Sequence, residues 1–386
     1  MIYLDYNATT PCDPDVVAAM LPYFTQKFGN AASRTHPYGW IADEGVEQAR
    51  RQVATLINAD ASEVIFTSGA TESCNLAIKG VYELYAVKGN HIITCATEHK
   101  AVLDSCSHIV AKGAEVTVLG VDEAGLISLD ELEAAIKPTT VLIALMYANN
   151  ETGVLQQIKA IGALAKKHNV LFFTDATQAV GKVKVDVIAD DIDILALSGH
   201  KLYGPKGVGA LYIRRRGPRV RLAAQIDGGG HERGFRSGTL NVPGIVGLGK
   251  ACSIAATIME AEAERLAALR DDFEVRLVGL GGQVINGHPK QRLPHVSNMS
   301  FGGTTANRMI SALNGQLAFA AGSACTSASK EPSHVLAAMG LEETRLFSAL
   351  RFSFGRFTTQ EEINTAIAAI TGVLDTTNLE KRDMFI

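Results

Sequence analysis

The chain has 386 residues, 47% hydrophobic and 20% charged, with a formal net charge of -4. That length allows a large core and two domains, and the mildly acidic balance argues against a nucleic-acid footprint. Six scattered cysteines without a Cys-x-x-Cys pair read as reduced thiols, not as a disulfide framework.

The opening "MIYLDYNATTP" has no basic stretch followed by an apolar one, so no secretory leader is expected. No segment is expected to reach membrane-spanning length, and a cytoplasmic protein without membrane contact follows. Short apolar runs then alternate with longer amphipathic stretches. The runs "EVIFTS" (63–68), "HIITCA" (91–96), "EVTVLGV" (115–121), "VLIALMYA" (141–148), "VLFFTDA" (170–176), "DILALS" (193–198) and "GALYIR" (209–214) read as strands. They are continuously apolar, as strands buried on both faces are, and helix-like stretches such as "IKAIGALAKKHN" separate most of them. That alternation predicts an α/β fold with a mostly parallel seven-stranded sheet flanked by helices. The cationic run "RRRGPRVR" (214–221) reads as a solvated connection or a docking face.

After about residue 250 the texture changes. A long amphipathic helix is expected from Ser253 to Leu280, followed by a strand in "HVSNMSFGG", a helix in "ANRMISALNG", a glycine-serine loop and a last helix opening at "TTQEEIN". Thr359 and Glu362 have capping-box spacing there. The expected division is a large domain over 13–258 and a smaller α+β domain made of 1–12 and 259–386.

Ligands of parallel sheets sit outside the strand carboxyl ends, so the residues following each run are the informative ones. "GATES" after the first run puts Ala70 and Thr71 at a helix start, either a plain cap or an anion cradle suited to phosphate. His99 follows the second run, either structural or functional, and the pair Cys95-x3-His99 has no second pair to make a metal site. Asn150 follows the fourth run. Asp175 closes the fifth, as a helix cap or as the partner of a cation, since a buried carboxylate needs pairing. Ser198, His200 and Lys201 follow the sixth. Walker A and dinucleotide glycine spacings are both missing from the sequence. An anion cradle, a histidine, an acid and a lysine are the set that pyridoxal 5'-phosphate (PLP) requires: a lysine for its aldehyde, an acid for its ring nitrogen and a phosphate pocket. Lys201 then reads as the covalent anchor rather than as a surface lysine.

With these residues assembled, the sequence resembles the cysteine desulfurases, PLP enzymes of fold type I in the class V aminotransferase superfamily. The resemblance runs through "YLDYNATTP", "FTSGATES", "TEHKAVL", "ANNETGV", "TDATQAVGK", "SGHKLYGPKGVGALY", "GGGHERGFRSGT", "GSACTSAS" and "LRFSFGRFTT". It implies that Lys201 anchors the cofactor, Asp175 pairs with the ring nitrogen, Gln178 bonds the ring hydroxyl, and His99 stacks on the ring and assists proton transfer. It further implies that Ala70, Thr71, Ser198 and His200 hold the phosphate, joined by Thr239 from the other subunit of a homodimer, and that Asn150 and Arg351 bind the substrate carboxylate. Cys325 reads from its residue type as a small buried hydrophobe; its polar glycine-serine surroundings and the resemblance make it the nucleophile that carries sulfur as a persulfide. The implied reaction takes L-cysteine to L-alanine and passes sulfur to an acceptor or iron–sulfur scaffold protein. Selenocysteine lyase or small-amino-acid aminotransferase activity on the same fold is the alternative. Ala31 stands where the family usually has proline, "GGTTANRM" (302–309) replaces an acidic stretch, and the short tail "NLEKRDMFI" puts scaffold docking by that route in doubt.

Overall fold

The computed structural model describes residues 1–217, 219–321 and 332–383, without the side chains of 377–383. Twelve strands occur among them: β1 (Ile2–Tyr3), β2 (Val64–Thr67), β3 (His91–Cys95), β4 (Glu115–Leu119), β5 (Thr140–Ala144), β6 (Leu171–Asp175), β7 (Ile194–Ser198), β8 (Gly209–Ile213), β9 (Gln283–Ile285), β10 (Val296–Phe301), β11 (Leu317–Ala318) and β12 (Ala349–Ser353). The seven apolar runs become β2 to β8, which form one sheet in the order β2-β8-β7-β6-β5-β3-β4. Only β8 runs antiparallel to its neighbours; the pairs β3–β4, β3–β5, β5–β6 and β6–β7 are parallel. Every residue of β2, β3, β5, β7 and β8 is buried, which explains why these strands carry no polar alternation. Apolar clusters cover both faces, one built around the helix Pro37–Leu56 and one around Ala70–Tyr85 and Lys100–Val110.

The second, antiparallel sheet has the order β12-β10-β9. Its core includes Leu4, Phe273, Phe301, Phe352, Phe354 and Ile363. The last helix, Gln360–Asp383, opens on the expected capping box: the Glu362 N–H donates to Thr359 Oγ1 at 3.2 Å, and the Thr359 N–H to Glu362 Oε2 at 3.0 Å. The long helix runs Val242–Val278, beginning well before the Ser253 expected, because "VPGIVGLGKAC" packs helically against the large-domain core. This early start also overturns the expectation that no segment is long enough to cross a membrane: the helix qualifies by length and composition, although half of its apolar window is buried inside the fold.

Candidate active site

The carboxyl ends of β2, β3, β5, β6 and β7 open on one cavity of about 460 Å³. Its lining includes Ala70, Thr71, His99, Asn150, Asp175, Gln178, Ser198, His200, Lys201 and Arg351, so residues spread over most of the sequence converge as expected. Thr239 is exposed and is not among the residues lining this cavity of its own chain. Cys325 lies outside the described residues.

One end of the cavity is an anion cradle. The helix Ala70–Tyr85 starts after Gly69, whose φ of +151° suits glycine and whose missing side chain leaves the first-turn N–H groups without a side-chain cap. Close approach of β8 shapes the same end. A Cβ on Gly209 would stand 2.6 Å from Leu197 O and 2.7 Å from Gly69 Cα, so only glycine lets β8 lie here. Ser198 and His200 complete this end. Burial, then Lys201 and Lys206, push the His200 imidazole down to about 4, and its Nδ1 lies 3.1 Å from Thr9 Oγ1. Glu72, also in the first turn, would be raised by burial, but Arg236 at 2.8 Å and the Ser68 N–H more than offset this and hold it low. Arg236 thus neutralises the one carboxylate beside the cradle, a role the sequence did not suggest.

At the centre, Asp175 ends β6 and is buried; its Oδ1 accepts from the Thr177 N–H at 3.0 Å, and its Oδ2 receives Cys74 Sγ at 3.8 Å. No helix begins between Asp175 and β7, so the helix-cap expectation fails; the Thr177 bond closes a turn instead. Behind it, burial and then Asp175 itself push Glu98 well above the usual carboxylate range; Glu98 Oε1 accepts from the Met146 N–H at 2.6 Å. Burial thus favours the protonated form of Glu98 in the wall behind Asp175.

His99 caps the helix Lys100–Val110: the Ala101 N–H donates to its Nδ1 at 3.1 Å. Because Nδ1 accepts, a neutral ring carries its proton on Nε2. Structural and functional readings of His99 are thus compatible. Lys201 Nζ donates to the carbonyls of Asn7 at 2.5 Å and Ala8 at 2.8 Å. Gln178 Nε2 donates to the same Asn7 carbonyl at 3.1 Å. Arg351, 2% exposed on β12, pairs through Nη2 with Asp5 Oδ1 at 2.7 Å and through Nη1 with Asn150 O at 3.0 Å. Its Nε is buried without a partner among the described residues, an orphan donor of the kind a bound carboxylate satisfies.

These residues fit PLP. A helix start without a side-chain cap, with Thr71 and Ser198, suits its phosphate, the buried Asp175 carboxylate suits its ring nitrogen, and Lys201 lines the same cavity. Asn7, Asp5 and Arg236 were not singled out from sequence, although Asn7 and Asp5 both lie within "YLDYNATTP".

Comparison with known proteins agrees with this chemistry. The family profile "Aminotransferase class-V" matches residues 2–365. The cysteine desulfurase IscS of Neisseria meningitidis is 53% identical over 369 residues, covering 96% of this chain and 91% of that protein. The cysteine desulfurase IscS of Anaeromyxobacter dehalogenans is 52% identical over 367 residues, covering 95% and 90%. Among solved structures, a NifS-like protein superposes with a TM-score of 0.91 at 35% identity, covering 97% of this chain and 99% of that one. The cysteine desulfurase of Thermococcus onnurineus superposes with a TM-score of 0.87 at 25% identity, covering 97% and 95%. The chain belongs to the PLP-dependent cysteine desulfurases of the class V aminotransferase family.

Proposed function

We propose that the cavity converts L-cysteine to L-alanine with Lys201, His99 and Cys325 as its catalytic residues. The observation that carries this is the meeting of Lys201, Asp175, His99, the uncapped helix start and Arg351 in one cavity. Bound PLP supplies an electron sink for the substrate's α-carbon. Around it, Ala70, Thr71, Ser198 and His200 hold the phosphate, Asp175 keeps a proton on the ring nitrogen, and Gln178 meets the ring hydroxyl. Arg351 and Asn150 take the substrate carboxylate, which turns the α-hydrogen toward Lys201. Lys201 Nζ removes that proton, and His99 covers the ring and passes protons. Cys325, as thiolate, attacks the substrate sulfur; its S–S bond forms as the substrate's C–S bond breaks, leaving a persulfide on the enzyme.

The sulfur then passes to an acceptor, an iron–sulfur scaffold protein among them. The working unit is a homodimer in which Thr239 reaches the partner's phosphate site; its exposure and the exposed apolar side chains Phe24, Phe28, Tyr38 and Trp40 support this. Two domains divide near residues 12 and 258, supported by Cys252 packing in the large core and Leu4 and Leu266 in the small one. The five described cysteines, all free thiols, suit a cytoplasmic setting.

The test is alanine and sulfide release from L-cysteine with a thiol reductant. Equal yields from the wild type are expected. They are lost in Cys325→Ser while the visible band of the bound cofactor survives, and lost with the band in Lys201→Ala. Desulfuration that survives Cys325→Ser would overturn the role of Cys325.

A further inference from the structure

Asn7 is 1% exposed and sits where four elements meet. Its N–H donates to Ser353 Oγ on β12 at 2.9 Å, and its side-chain Nδ2 donates to Asn150 O at 3.0 Å. Its own carbonyl accepts from both Lys201 Nζ and Gln178 Nε2. Asn150 O also accepts Arg351 Nη1. One residue therefore touches the lysine that follows β7, the glutamine that follows β6, the asparagine that follows β5 and the strand that carries Arg351.

The amide orientation of Asn7 follows from its partners. A carbonyl can only accept, so Nδ2 must face Asn150 O and Oδ1 must face His295 Nε2, 2.9 Å away. His295 is 1% exposed, and its Nδ1 has no partner among the described residues. Burial, then Lys182, Arg270 and Arg351, push it well below the usual histidine range, so the ring is neutral. A neutral ring whose Nε2 faces an acceptor has its single proton there. His295 is thus a fixed donor whose one hydrogen bond orients Asn7.

We propose that Asn7, oriented by His295, is a positioning residue for the Lys201 amine during the part of the cycle in which that amine is not bonded to the cofactor. The inference rests on the reading of Lys201 as cofactor anchor and base. A released amine that has taken up the α-proton is an ammonium in a half-buried site. Two carbonyl oxygens, those of Asn7 and Ala8, hold it within reach of the substrate without removing its proton. Turning the Asn7 side chain would move the peptide that supplies the nearer of them.

The test compares holoenzyme His295→Leu, His295→Gln and Asn7→Ala by kcat and KM for alanine formation, bound PLP per chain and the resting visible band. His295→Leu and Asn7→Ala are expected to lower kcat by roughly 10- to 100-fold, the scale of a small misplacement of a reacting group. KM should stay within about 3-fold, because Arg351 keeps Asp5. Bound PLP and its band should be unchanged, since the covalent bond and the phosphate cradle hold the resting cofactor. His295→Gln, whose amide can donate from nearly the same place, should recover most of kcat. A kcat unchanged in both His295→Leu and Asn7→Ala would overturn the proposal. So would loss of PLP in step with activity, or equal damage from Gln and Leu, either of which marks a merely structural role. Lys201→Ala separates the two levels: alanine formation surviving there would sink the reading of Lys201 and with it this inference.

Discussion

Removing the carboxylate of Glu232 should destabilise the chain by about 3–5 kcal/mol, the cost of breaking a buried ion pair from one side. Glu232 lies in "GGGHERGFRSGT" and is 6% exposed; its partner Arg50, on the helix Pro37–Leu56, is 4% exposed. The pair is two-pronged, with Arg50 Nη1 to Glu232 Oε2 at 2.7 Å and Nη2 to Oε1 at 2.8 Å. Glu232 Oε2 also accepts the Phe66 N–H of β2 at 2.7 Å, while Arg50 holds Val64 O at 2.8 Å. Burial alone would lower the Arg50 guanidinium, and Glu232 reverses this. The same contacts retain two consecutive non-glycine residues at positive φ, Glu232 at 46° and Arg233 at 58°. Glu232→Gln keeps the shape but leaves the buried guanidinium only the exposed Glu47 carboxylate, 2.9 Å from its Nε. Arg50→Lys should cost nearly as much, because an ammonium cannot make the two-pronged contact. The assay is urea unfolding at fixed PLP concentration, so that cofactor binding contributes equally to every variant. The double variant Arg50→Met, Glu232→Met is the decisive arm: with both charges gone, most of the loss should be recovered. A Glu232→Gln loss under about 1 kcal/mol, or a double variant worse than either single one, would refute the reasoning.

Gly209→Ala should weaken PLP retention without unfolding the chain, because the added Cβ meets Leu197 O and Gly69 Cα beside the phosphate cradle; dialysis followed by the visible band measures it, and full retention would contradict the packing argument. The depressed imidazoles of His200 and His295 predict an acid limit. The folded pKa of His200 lies near 4, below its unfolded value of about 6.5, and that of His295 is also well depressed. The unfolded chain therefore binds protons first as pH falls through that window. Stability should be intact above about 6.5 and lost progressively toward 4. His295→Gln should flatten that slope, which urea midpoints at pH 7, 6, 5 and 4.5 would reveal.

The main sheet was legible because its strands are buried on both faces, so "VLIALMYA" and "DILALS" had to be uninterrupted apolar runs. The strand β12 was not legible. "ALRFS" contains a charged Arg351, tolerated in a fully buried strand only because Asp5, from the far end of the chain, lies 2.7 Å away. The early start of the long helix was missed for a related reason. "VPGIVGLGK" holds four glycine and proline positions, and close packing of Gly247 against Met20 and Gly249 against Ala49 turns those glycines from helix breakers into contact points.

By itself the sequence determined the mostly parallel sheet, the residue types at its strand ends and, through them, the cofactor chemistry, because burial pattern and strand-end position are local properties of the chain. The tertiary structure alone decided which partners hold those residues. Asn7 beneath Lys201, His295 behind Asn7, Asp5 on Arg351 and Glu232 on Arg50 are all contacts between residues more than 180 positions apart. Such contacts are set by how two sheets and a long helix pack, and no local pattern of residues encodes them.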